Sequence, residues 1–136
     1  MKNFKVLAII AVCLLIVSCS TNPKIENVGN DKDAKGCLAS AGYRWSNLKK
    51  ECIRVFELPI QLANADSSFS AGVIISQDGK QAEVLTKDGD FILDKKADDS
   101  FLNESDNAGV FLKKTNGKWE FGKIKGGVVE YIEVVK

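Results

Sequence analysis

The 136-residue chain has no histidine, one methionine and only two prolines. Without histidine, neither a Ser-His-Asp nor a Cys-His arrangement for nucleophilic catalysis can be assembled. Charge of one sign is also lacking. Nineteen Lys and Arg stand against eighteen Asp and Glu, so nothing electrostatic favours a nucleic-acid partner. No glycine loop of phosphate-cradling type and no dinucleotide fingerprint occurs. The longest apolar run, Val6 to Val17, has twelve residues, short of the roughly 20 that a membrane-spanning helix needs. These absences together predict a non-enzyme with no cofactor.

What is present begins with Met1-Lys2-Asn3-Phe4-Lys5 ahead of that apolar run, the charge and length pattern of a secretory signal. "Ile16-Val17-Ser18-Cys19" then resembles a bacterial lipobox. In that family the cysteine thiol receives a diacylglyceryl group, the chain is cut before it, and the new amino group is acylated. The resemblance implies residues 1–18 as signal peptide and Cys19 as the lipidation site. It also implies a partner in the membrane, through palmitate-like acyl chains that exceed the two signals stable anchoring requires. Ser20, where some bacteria place an inner-membrane retention Asp, favours the outer membrane. Losing Lys2 and Lys5 leaves 17 basic against 18 acidic side chains.

Four cysteines occur in all. Cys13 lies in the apolar run and Cys19 is the lipid site, which leaves Cys37 and Cys52 with one intramolecular pairing. In an exported protein such a pair persists as a disulfide. Its spacing is far longer than a redox Cys-x-x-Cys, and zinc would need four ligands. Residues 19–35 contain one proline, little apolar content and no periodicity, and read as a flexible tether. Within them Asp31-Lys32-Asp33 imitates the start of a calcium loop, but the closing Glu position is Gly42. Residues 36–136 form the single predicted domain.

That domain reads as all-β. In "VFELPIQL" the residues Phe56, Leu58, Ile60 and Leu62 alternate with polar ones, a half-buried strand with Pro59 marking an edge or a bulge. Four dipeptides suit two-residue hairpin loops: Asp78-Gly79, Asp88-Gly89, Asn116-Gly117 and Gly126-Gly127. Loop position sets register. The first two place Val73 opposite Val84, Ile75 opposite Ala82, Val84 opposite Leu93 and Thr86 opposite Phe91. The last two place Leu112 opposite Phe121, Lys114 opposite Trp119, Phe121 opposite Ile132 and Trp119 opposite Val134. Lys113–Glu120 and Lys123–Glu130 then become opposite-charge pairs, and Glu120 meets Glu133 unless a bulge at Gly122 intervenes. The expectation is a small antiparallel sandwich or flattened barrel, built from two three-stranded meanders plus the N-terminal strand, with one disulfide. The acidic stretch 94–109 is read as the loop joining the meanders. Its Asp98, Asp99, Glu104 and Asp106 are read as a solvated surface, with weak calcium binding as the alternative.

Tyr43 and Trp45 lie two apart between the cysteines, so on a strand they share a face. They either cover the Cys37–Cys52 bridge or form an exposed platform for a sugar or a protein. "AGYRWSNLKKECIRVFE" resembles a cysteine-framed segment near the start of small exported lipoproteins of Bacteroidetes-type bacteria. The following β region is similar in layout to the membrane-bound lysozyme inhibitor family, on "AGVF" (108–111) and "WEFGK" (119–123). Ala108 stands where that family has serine, and Gly122-Lys123 reverses its Lys-Gly order. The resemblances imply an anchored module that binds an envelope protein or glycan, lysozyme being one such protein. An envelope lipoprotein with a structural or assembly role is the alternative.

Overall fold

A computed structural model describes residues 31–68, 70–105 and 109–134, and among these there is no α-helix. Eight antiparallel strands close into a barrel: β3 (Ile60–Asn64), β4 (Ser70–Ile75), β5 (Gln81–Thr86), β6 (Gly89–Ala97), β7 (Ser100–Asn103), β8 (Val110–Thr115), β9 (Lys118–Lys123) and β10 (Val128–Glu133). A separate hairpin, β1 (Tyr43–Ser46) with β2 (Glu51–Arg54), precedes them. The fold is thus all-β, and of the two expected architectures it is the barrel.

Alternation along each strand fills the barrel with side chains. Leu62, Val73, Val84, Leu93, Leu112 and Phe121 are almost wholly buried there. Three tilted aromatic pairs cross the interior: Phe91–Phe121, Phe101–Trp119 and Phe121–Tyr131, a geometry that aromatic quadrupoles favour. Trp119 and Phe121 are therefore core residues, as their register predicts.

Two hairpins have the expected register: Val73 faces Val84, Ile75 faces Ala82, Leu112 faces Phe121 and Lys114 faces Trp119. The other two differ. At the β5–β6 turn, Thr86 pairs with Gly89 and Val84 with Phe91, so the loop is Lys87-Asp88. The Thr86 hydroxyl fixes it, donating to the Gly89 carbonyl and accepting from the Asp88 N–H. This shift is even in register, so every side chain keeps its face.

At the β9–β10 turn the outcome changes. Val128 pairs with Lys123 and Val129 with Gly122, but Tyr131 pairs with Phe121 across a bulge. One extra residue flips everything after it. Tyr131 is 5% exposed and in the core, while Ile132 and Val134, expected inside, are 47% and 44% exposed. Glu120 faces Ile132 rather than Glu133, and the Glu133 carboxyl accepts the Trp119 N–H. The pairs Lys113–Glu120 and Lys123–Glu130 form at 3.7 and 2.7 Å.

Two further expectations are corrected. The stretch 94–109 is not one loop: β6 runs to Ala97, Asp98-Asp99 makes a turn with Asp99 at φ 53°, and β7 returns with Phe101 in the core. The strand expected over Phe56–Leu62 starts only at Ile60. Val55–Glu57 is a 3₁₀ turn, Phe56 is 53% exposed, and Leu58 is buried on the outside of the barrel. Pro59 precedes the first strand residue, where its missing N–H costs no ladder bond.

The N-terminal order also reaches further back than expected. Asp33 Oδ1 accepts the N–H groups of Lys35 and Cys37, Asp31 Oδ2 accepts that of Ser40, and Lys32 bridges to Leu38. Residues 31–35, assigned to the tether, are thus hydrogen-bonded structure. An Asx turn such as that of Asp33 on Lys35 needs no apolar periodicity. The Cys37–Cys52 disulfide ties this segment to β2. Replacing both cysteines by serine is expected to cost about 3 kcal/mol, from a closed loop of this length. Denaturant unfolding of the double variant measures it, and an unchanged midpoint would show that the bridge contributes nothing.

Candidate functional site

The β1–β2 hairpin lies across the outside of the barrel, and its alternation sorts its side chains by role. Tyr43 pairs with Arg54 and Trp45 with Cys52, while Arg44 and Ser46 alternate with them. Ser46 and Ile53 are buried beneath the hairpin. Ile53 packs with Leu58, Ile74 and Leu85 in a second apolar cluster outside the barrel.

One buried acid organises the contact. Glu83 of β5 is fully buried, and its carboxyl accepts the Ser46 hydroxyl at 2.5 Å, the Asn47 N–H at 2.7 Å and the Leu48 N–H at 3.2 Å. Ser46 Oγ in turn accepts the Lys49 N–H. The tip of the hairpin is therefore satisfied by the barrel rather than by water. Arg44 makes a second tie, donating Nη1 to the Thr86 carbonyl at 2.6 Å and Nη2 to Asp90. Partial burial pushes the Asp90 carboxyl above the usual range, with Arg44 opposing it.

On the other face, Arg54 donates to Glu57 at 2.9 Å, and its guanidinium lies 4.6 Å from the Tyr43 ring centre and 5.9 Å from that of Phe56. The Glu57 hydrogen bond raises the Arg54 pKa further above its ordinary value. One guanidinium thus contacts both rings, each contact modestly favourable at an exposed site. Gly42, at φ 76°, lets Phe56 approach, since a Cβ there would sit 2.7 Å from the ring. Trp45 is half-buried with Lys35 over it at 5.8 Å.

These residues frame a groove of about 460 Å³ lined by Tyr43, Phe56, Arg44, Lys87, Ser68 and Ser70. A second groove of about 320 Å³ adjoins it along Tyr43, Arg54 and Glu57. Of the two aromatics singled out in the sequence, Tyr43 lines both grooves, whereas Trp45 lies opposite Cys52 of the disulfide pair. Phe56, Arg54 and Glu83 escape the sequence reading. Pro59 was the one available sign that Phe56 does not continue a strand.

Among the described residues, the acidic residues are not gathered into a site. Asp98 pairs with Lys95 at 3.0 Å, Asp99 occupies the turn, and Glu104 is exposed. Among the described residues no three acidic or cysteine groups are placed to hold a metal. Cys19, Asp106 and Ala108 lie outside the described residues. Gly122 and Lys123 belong to β9 and not to a turn, with Lys123 paired to Glu130. Comparison with protein-family models, with characterised proteins and with solved structures found no match.

Proposed function

We propose that the protein is a membrane-anchored bacterial lipoprotein whose β domain is a non-catalytic binding module for an envelope protein or glycan. The observation that carries this reading is the pair of grooves meeting at Tyr43, outside a barrel whose interior is filled by its own side chains. Their walls are held by the disulfide, by Glu83 and by Arg54, so little ordering is left to be done on binding. The anchor rests on the signal and lipobox pattern ending at Cys19. The lysozyme-inhibitor resemblance makes lysozyme one partner to test.

A structural or assembly lipoprotein is the second reading, favoured by the exposed apolar outer face of β10. Val129, Ile132 and Val134 lie there together beside Ala63 and Ala65. Contiguous apolar surface of this kind is uncommon on a monomer without a partner.

Mass spectrometry of the mature protein tests the anchor: a lipid-modified Cys19 at the amino terminus is expected, and a free thiol there would sink it. Capture by the detergent-solubilised full chain, from envelope extract and from purified lysozymes, separates the two readings. Binding lost on Phe56→Ala supports the module. Binding lost only on Ile132→Lys supports the assembly role.

A further inference from the structure

The geometry points to a ligand class for the grooves at Tyr43: an uncharged oligosaccharide. This inference rests on the binding-module reading and narrows it. The first support is shape. Two grooves share Tyr43 as a common wall, so an elongated ligand crossing that ring is favoured over a single compact one. The second is the aromatic pair. Tyr43 and Phe56 both contact one guanidinium, that of Arg54, and Phe56 stands 53% exposed at the rim. The C–H-bearing face of a pyranose stacks on such rings, which supply contact area at little conformational cost.

The third is charge. Each cation lining the grooves has an acidic neighbour: Arg44 has Asp90, Arg54 has Glu57, Lys49 has Glu51 at 3.8 Å and Lys87 has Asp88 at 3.9 Å. A phosphate or a polyacid would have to compete with these carboxylates. A neutral ligand would not. Donor and acceptor thus lie side by side at Arg54–Glu57 in one groove. In the other the Ser68 hydroxyl does both, donating to Asp66 and accepting from Asn64 behind the wall. Sugar hydroxyls, which both donate and accept, suit such paired groups.

The test uses the isotope-labelled full chain in a detergent without a sugar headgroup, titrated with maltohexaose, cellohexaose and chitohexaose, and with hexagalacturonate as the charged comparison. At least one neutral hexasaccharide is expected to shift the amides of Gly42, Tyr43, Phe56 and Ser70. Phe56→Ala and Tyr43→Ala should weaken it by about tenfold or more, and Lys118→Gln, on the exposed start of β9 and outside both grooves, should leave it unchanged. Unfolding of Phe56→Ala, measured in parallel, should show an unfolding constant raised by no more than about fivefold, the scale of an exposed cation–π contact. No shift from any neutral sugar at about 10 mM, well above a millimolar dissociation constant, overturns the inference. So does tighter binding of hexagalacturonate. If a purified envelope protein binds and Phe56→Ala abolishes it, the sugar class falls while the binding module stands. If neither sugar nor protein binds, both fall.

Discussion

Gly122→Ala is expected to destabilise the barrel by about 3 kcal/mol or more, lowering its melting temperature by on the order of 15 °C. Gly122 faces the bulge in β10, and a Cβ built on it would lie 2.0 Å from the Val128 carbonyl oxygen and 2.9 Å from the Val129 Cα. Both obstacles are backbone, so no side chain can rotate away. Relief requires the strands to part or the bulge to dissolve, and dissolving it would turn Tyr131 out of the core. Gly127→Ala is the comparison. Gly127 sits at φ 62° with nothing within 4 Å of the added carbon, so only the left-handed backbone is penalised, by about 1–2 kcal/mol. Thermal unfolding of both variants decides the matter. Equal losses would mean that the close approach at Gly122 is not what holds the register.

Glu83→Ala is expected to cost about 2–4 kcal/mol, because it leaves the Ser46 hydroxyl and two backbone N–H groups without their acceptor. The loss should be local. Hydrogen exchange at Asn47 and Leu48 should quicken most, while amides of β8 and β9 keep the protection of the barrel. Glu83→Gln retains one acceptor oxygen and should fall between. Unaltered exchange at Asn47 and Leu48 in the alanine variant would show that the hairpin is held by its apolar cluster and disulfide alone.

Legibility in the sequence varied with the kind of information each element needs. Asn116-Gly117 carries its own geometry, both residues taking positive φ, and the register of β8 and β9 follows from it. Asp98-Asp99 makes an equally tight turn, but acidic residues in a row read first as a solvated loop, which hid β7. A bulge at Gly122 was legible as the condition for parting Glu120 from Glu133. It lies opposite Gly122, but its place in β10 and the flip of Tyr131 into the core were not legible. "VVEYIEVV" offers apolar residues to both faces, and the choice depends on how Gly122 admits the Val128 backbone. Glu83 is a different failure. It occupies a polar position on a correctly read strand, and only the hairpin folded over it makes it buried. The cysteine pairing was legible because the lipobox resemblance left two thiols. Of the grooves, Tyr43 was legible as an aromatic between those cysteines. Phe56 was not, because its alternation with Leu58, Ile60 and Leu62 imitates a strand.

The closure of the barrel bears on how the chain reaches this state. Every barrel pairing but one joins strands adjacent in sequence. The exception sets Leu62, Ala63 and Asn64 against Glu133, Ile132 and Tyr131, uniting the first and last strands. Local hairpins form quickly, while this last pairing must bring distant segments together. Because β10 is apolar on both faces, it arrives able to dock one residue out of step, with Ile132 and Val134 inward and Tyr131 outward. Such a slipped barrel would still bury hydrocarbon, so it is a natural kinetic competitor to the native one. The native ring therefore depends on two distant segments meeting in a register that the bulge opposite Gly122 defines.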